Sequence, residues 1–85
     1  MKLVIVAVYD SAVSAFMRPF FVPHQGHAVR SFTDEINSKE PNALAAHPDD
    51  YSLFRLGVFD EDTGNFEEND PQCIARGKDV VIKSN

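Results

Sequence analysis

From Lys2 to Tyr9 (KLVIVAVY) almost every position is apolar: Leu3, Ile5, Ala7 and Tyr9 fall on one side of an extended chain and Val4, Val6 and Val8 on the other. The run is rich in β-branched residues and is bounded by Asp10-Ser11, so it predicts a strand, central in its sheet because both faces are apolar. Phe16 to Pro23 is bulky but broken by Pro19 and Pro23, and a proline cannot donate to a ladder; it reads as an edge strand or an extended loop. Helical spacing is clearest over Gln25 to Asn37, where Ala28, Val29, Phe32 and Ile36 share one face.

Residues 38–50 form a polar connection with Pro41 and Pro48 as breakers and room for one helical turn at 42–46. Tyr51 to Phe59 alternates Leu53, Arg55, Gly57 and Phe59 against Phe54, Leu56 and Val58, which predicts a second strand. Asp60 to Gly64 is a hairpin loop with Gly64 free to take a positive φ, and 65–67 is the return strand, ended by Asp70-Pro71. In the tail, Arg76-Gly77 makes a turn and Val80 to Ile82 a last strand.

The expected fold is a single α+β domain over residues 1–85: a small antiparallel or mixed sheet of three to five strands with one main helix on one face. One helix covers one face only. The second apolar face of strand 1 must be covered by residues 16–22, by the turn near Leu44, or by a second copy of the chain, and a homodimer is the favoured expectation. Size supports this, because an 85-residue chain buries only about 60–65% of its unfolded surface. Its one cysteine, Cys73, cannot close an internal disulfide.

Charge sharpens the picture. The net charge is −5, which argues against a general basic coat for nucleic acid. Its distribution is uneven: residues 1–33 carry +2, residues 34–71 carry −9, and residues 72–85 carry +2. If the two ends meet, an acidic molecule still presents a basic face. The apolar start is too short to span a membrane and lacks a signal-peptide cleavage context, so the expected location is a reducing cytoplasm.

Candidate chemistry is sparse. His24 and His27, with His47 and Cys73, could supply metal ligands, but nothing fixes the four together, and capping or solvated histidines are the simpler reading. Asp60-x-Asp62-x-Gly64 fails the calcium-loop pattern, since Gly64, Asn65 and Pro71 stand at its fifth, sixth and twelfth positions. No nucleophile elbow or glycine-rich phosphate loop is present. The expectation is a protein without catalytic activity, cofactor or metal.

Nine aromatics, seven of them Phe, suggest single-strand binding by stacking beside cations. Phe16, Arg18, Phe20 and Phe21 form the best local cluster. Core packing is the competing reading for these rings, and Phe32, Phe54, Phe59 and Phe66 are assigned to the interior.

An ordered series of short motifs then stands out. Tyr9-Asp10-Ser11, Pro19-Phe20-Phe21-Val22-Pro23, Gly26-x-Ala28-x-Arg30-x-Phe32 and Asn37 come first. His47-Pro48-x-Asp50-Tyr51-x-Leu53-Phe54-x-Leu56-Gly57-x-Phe59-Asp60-x-x-Thr63-Gly64-x-Phe66 follows. In order and spacing, this series resembles the small nonstructural protein of gokushoviruses, microviruses with circular single-stranded DNA genomes. The resemblance spans residues 1 to about 68. It implies a non-capsid protein made in the bacterial cytoplasm and linked to single-stranded DNA synthesis or packaging; it carries over no catalytic residues.

Two functions follow as expectations. In one, a homodimer binds single-stranded DNA through Arg18, Phe20, Phe21, Arg30, Lys2, Arg76, Lys78 and Lys83. In the other, the protein docks on the replication initiator or a capsid precursor and never touches DNA.

Overall fold

The two-faced apolar run becomes β1 (Lys2–Asp10), a strand with partners along both edges. The computed structural model describes residues 1–82, so Lys83 lies outside the described residues. On one side β1 pairs along its whole length with β4 (Tyr51–Asp60), from Lys2 opposite Asp60 to Asp10 opposite Tyr51. Its other edge takes two short pieces, β2 (Ala15–Phe16) and β3 (Phe20–Val22). Pro19 separates these pieces and Pro23 follows them, so neither proline is asked to donate to the ladder. β5 (Phe66–Arg76) forms the opposite edge, and all pairings are antiparallel. The expected α+β architecture, a small antiparallel sheet with one main helix, is the one observed.

Helix α1 (Gln25–Ile36) covers one face. His24 is its N-cap: the ring Nδ1 accepts a hydrogen bond from the Gly26 N–H at 3.0 Å, satisfying one of the donors a helix start leaves free. Ala28, Phe32 and Ile36 then meet Val6, Val8, Tyr51 and Leu53 in the core. Val6, Ile36 and Leu53 are fully buried, and burial of side chains of this size stabilises by about 1.5–3 kcal/mol each. The short helix α2 (Ala43–Ala46), capped by Asn42 at 2.8 Å from the Ala45 N–H, lays Leu44 on the same core. Leu44 therefore does not cover the second sheet face, as one expectation allowed.

Three expectations about the second half are corrected. Asp70-Pro71 does not end the return strand: β5 runs on to Arg76, with residues 69–71 left unpaired at a register shift between Gly57 opposite Glu68 and Arg55 opposite Gln72, so the proline is not asked to donate to the ladder. Residues 80–82 are not a strand. A short helix α3 (Gly77–Val80) follows β5 directly, and side-chain bonds from Asn37 take the Val80 carbonyl and the Ile82 N–H.

The third correction concerns phase. Ile5 faces Gly57 while Val6 faces Arg55, so Leu56 has no partner on β1. This bulge inverts the alternation. Leu53 and Arg55 stay on the helix side, Arg55 donating to the Gln25 side chain at 3.1 Å, whereas Gly57 and Phe59 move to the side of Phe54. Phe54 and Phe59 are thus half-buried on the sheet face opposite the helix and Phe66 is exposed there, not in the interior. Phe32 is buried as expected.

The β4–β5 hairpin closes as its composition suggests. Gly64 has φ +76° and its N–H donates to the Asp60 carbonyl at 2.7 Å. The Asp60 carboxylate accepts from the Asp62 and Thr63 N–H groups. These bonds, the Asp62 one foremost and with help from Lys2, hold its pKa below the usual carboxylate range.

Candidate functional site

The face of the sheet away from α1 carries two sets of three aromatic rings. Tyr9, Phe16 and Phe54 form the first, with centroids 4.9 Å (Tyr9–Phe16), 5.4 Å (Phe16–Phe54) and 6.0 Å (Tyr9–Phe54) apart, all edge-on. Phe21, Phe59 and Phe66 form the second, with separations of 4.9 to 6.4 Å. Registers explain the repeat. Phe16 lies opposite Tyr9 and Phe21 opposite Ile5; Phe54 lies opposite Ala7 and Phe59 opposite Leu3. Each step is four residues along β1, which places the two sets about 13 Å apart.

No described helix covers these rings. Phe16, Phe21 and Phe66 remain 43%, 46% and 58% exposed, an unusual concentration of aromatic surface on one sheet face.

A cation joins the first set through the ladder. Phe16 pairs with Tyr9, Tyr9 with Ser52, and Ser52 with Arg76, so these four residues form one cross-strand row on the open face. Beside this row is a cleft of about 310 Å³ with Tyr9, Ser52 and Phe54 as its floor. One wall is the 3₁₀ turn Pro48–Asp50, which brings Asp49 and Asp50. Ser11 clamps that turn, its N–H and Oγ both donating to the Asp50 carbonyl at 2.9 and 3.1 Å. Cys73, Arg76 and Lys78 line the cleft as well. Lys78 is carried by α3, which docks because Gly77 packs against the Pro48 carbonyl, where a Cβ would collide. Two acids and two cations thus line the same cleft beside an aromatic floor.

Beneath this end, Tyr51 is buried on the helix side, and burial pushes its phenol pKa up, with the charges of Asp10 and Asp50 adding to the shift.

The sequence-derived candidates scatter. Arg76 and Lys78 line the cleft, and Phe21 belongs to the second aromatic set. Arg18 is exposed in the link between β2 and β3, at the edge of the sheet. Phe20 pairs with Val6 and so falls on the helix side of the sheet, the opposite face from Phe21. Arg30 is exposed on α1, across the sheet from the open face. Lys2 sits at the far end of β1, opposite Asp60, and is paired with Glu67 at 3.4 Å. Lys2 and Arg76 mark opposite ends of the sheet. Tyr9, Ser52, Phe54, Phe59 and Phe66 were not among the candidates; Tyr9 and Phe59 become visible only through strand register and the β4 bulge.

No curated protein and no solved structure matches the chain. A family model described as Phage ORF5 protein matches residues 3–80, running past the last residue of the motif series and taking in Arg76 and Lys78 of the cleft. With all but seven of its residues inside that match, the chain belongs to the Phage ORF5 protein family and is a phage protein.

Proposed function

We propose that this is a gokushovirus nonstructural protein that binds single-stranded DNA through the open face of its sheet, in support of viral DNA synthesis or packaging in the bacterial cytoplasm, without catalysing a reaction. The observation that carries this reading is the row Phe16–Tyr9–Ser52–Arg76, which sets stacking rings and a cation side by side on a face that no described helix covers. Every base has a π-face, so such a platform holds unpaired bases whatever their sequence, while duplex DNA keeps its bases stacked on each other. Arg76 and Lys78 line the cleft beside the first aromatic set, together with Asp49 and Asp50, and Arg18 lies in the link at the sheet edge that carries Phe16.

A second reading has its own observation. The second set, Phe21, Phe59 and Phe66, lies at the hairpin end, beside Glu61, Asp62 and Glu68. An apolar patch bordered by acids suits a protein contact, either a second copy of this chain or a basic surface on the replication initiator or a capsid precursor.

Fluorescence anisotropy with labelled single- and double-stranded oligonucleotides tests the first reading. Single strands should bind preferentially, and with three cations engaged log K should fall with log salt at a slope of about −2. Absence of single-strand binding at low salt overturns it and leaves the protein-docking reading, which sedimentation and capture of the two viral proteins then examine.

A further inference from the structure

We propose that the β2–β3 edge of the sheet pairs with the same edge of a second copy of the chain, strand to strand, about a two-fold axis centred on Phe21. The two outer edges, β5 on one side and β2 with β3 on the other, differ in chemistry. β5 carries Glu67, Glu68, Asp70 and Pro71 and is unpaired at 69–71, the charges and irregularity that keep an edge from pairing. On the other edge there is no acid between Asp10 and Asp34, although the chain has 13. Val13, Phe16, Met17, Phe20 and Phe21 of this edge are five of the eight exposed large apolar residues among those described. Aromatic rings, Met and a single Arg without acids are the composition of the buried centre of a protein interface. Phe20, opposite Val6, and Phe21, opposite Ile5, lie on opposite faces, so an object resting on either face covers one ring and leaves the other. A strand added at the edge covers both.

A two-fold contact sets a patch against itself, so in a chain of net charge −5 it requires a surface without acids, and this edge is one. Backbone direction supplies the register. The Met17 N–H donates to the Val8 carbonyl at 2.7 Å, so Val4, Val6 and Val8 turn their backbone groups toward this edge. Val22 and Phe20 lie opposite Val4 and Val6, which leaves the Phe21 N–H and carbonyl directed outward. Pro19 and Pro23 stand two residues to either side of Phe21. In antiparallel self-pairing, Phe21 exchanges two hydrogen bonds with Phe21 of the second copy, and Phe20 lies beside the second copy's Val22. Pro19 then meets Pro23, which ends the ladder where neither chain has a donor to lose. Such placement of the prolines about one outward residue fits a strand that pairs with itself. Antiparallel neighbours share their faces, so the two open faces become one surface, and each copy keeps its own row Phe16–Tyr9–Ser52–Arg76.

Sedimentation velocity of the full chain over a concentration series tests the proposal, and a reversible monomer–dimer equilibrium is expected. Phe20→Asp, which sets a carboxylate on the edge of both copies, should raise the dimer dissociation constant at least about tenfold, with thermal melts to establish that the variant is folded. A crosslinking measurement does not depend on that variant. In a Cys73→Ser background, Phe21→Cys brings two thiols to the two-fold axis, within the Cα separation of about 4.4–6.8 Å that a disulfide spans. Oxidation by copper–phenanthroline should then give a disulfide-linked dimer, whereas Glu68→Cys on the opposite edge should not. A chain that stays monomeric at every concentration overturns the proposal. So does a dimer that Phe20→Asp leaves unchanged, or one that crosslinks through residue 68 and not through residue 21.

Discussion

The side-chain amide of Asn37 donates to the carbonyl oxygen of Val80 at 3.0 Å, across 43 residues of chain. Its Nδ2 also donates to the Thr33 carbonyl at 2.9 Å, and its Oδ1 accepts from the Ile82 N–H at 2.7 Å. One residue thus closes the end of α1 and fastens the segment after α3 to it. Replacement by Ala removes three hydrogen bonds around a partly buried carbonyl, a loss of about 1–3 kcal/mol. A domain of this size should lose roughly 5–15 °C of melting temperature. Asn37→Asp keeps the acceptor for Ile82 but sets a carboxylate oxygen against the Thr33 and Val80 carbonyls at the helix C-terminus, so it should cost at least as much as alanine. Circular dichroism melts measure both, and amide exchange should show the loss of protection concentrated in residues 77–82.

This clip also marks where sequence reading stops. Local pattern suffices for β1, for α1 with its buried Ala28, Phe32 and Ile36, and for the Asp60–Gly64 turn, because each is specified by residues within one turn or one strand. Val80-Val81-Ile82 has strand chemistry, yet a long-range amide takes its backbone groups, and no local signal announces that. Phe59 fails for a different reason: its side is set by the count of residues between it and Phe54, and a bulge at Leu56 changes the count. The cleft was half legible. Arg76 and Lys78 stood out as charges, while Tyr9, Ser52 and Phe54 join them only once the strands are in register.

Two glycines of the β4–β5 hairpin should respond differently to alanine. A Cβ at Gly57 would run into the Glu67 backbone carbonyl on the neighbouring strand, so Gly57→Ala must push the two strands apart where the bulge already strains their register. Overpacking of this kind costs about 1–3 kcal/mol. Gly64 has open space around it and only its φ of +76° to protect, so alanine there should cost about 1 kcal/mol. Denaturant unfolding of the two variants should place Gly57→Ala lower in midpoint than Gly64→Ala. The reverse order would contradict the close approach at Glu67.

Tyr51 provides a spectroscopic marker of the core. Its phenol is held protonated first by burial and then by the neighbouring charges of Asp10 and Asp50, so its folded-state pKa lies above the unfolded value near 10. A group shifted in this direction contributes its full stability below the unfolded pKa. The contribution is lost as pH rises from about 10 through the folded value, because only the unfolded chain gains by ionising. Tyr51 should therefore give a late stage in the rise of phenolate absorbance above about pH 10, and that later stage should be absent in Tyr51→Phe. Asp10→Asn removes one of the neighbouring charges and should bring the later stage earlier. A late stage that persists in Tyr51→Phe would contradict the environment assigned to Tyr51.

Phe16 and Phe20 allow the binding face to be identified without ambiguity, since they are alike in type and exposure and differ in side. Phe16 lies opposite Tyr9 with its ring 4.9 Å away on the open face and is 43% exposed; Phe20 lies opposite Val6 on the helix side and is 38% exposed. Both are on the short edge strands, so alanine at either should disturb folding to a similar degree. Base stacking on an aromatic ring is worth about 1–3 kcal/mol by alanine substitution, so Phe16→Ala should weaken oligonucleotide binding by about tenfold or more. Phe20→Ala should stay within about twofold of the wild-type protein, because its ring is out of reach of a strand laid across Tyr9 and Phe54. Anisotropy titrations of the two variants decide it: equal losses would mean that the strand wraps the sheet edge, and a larger loss at Phe20 would move the interface to the helix side.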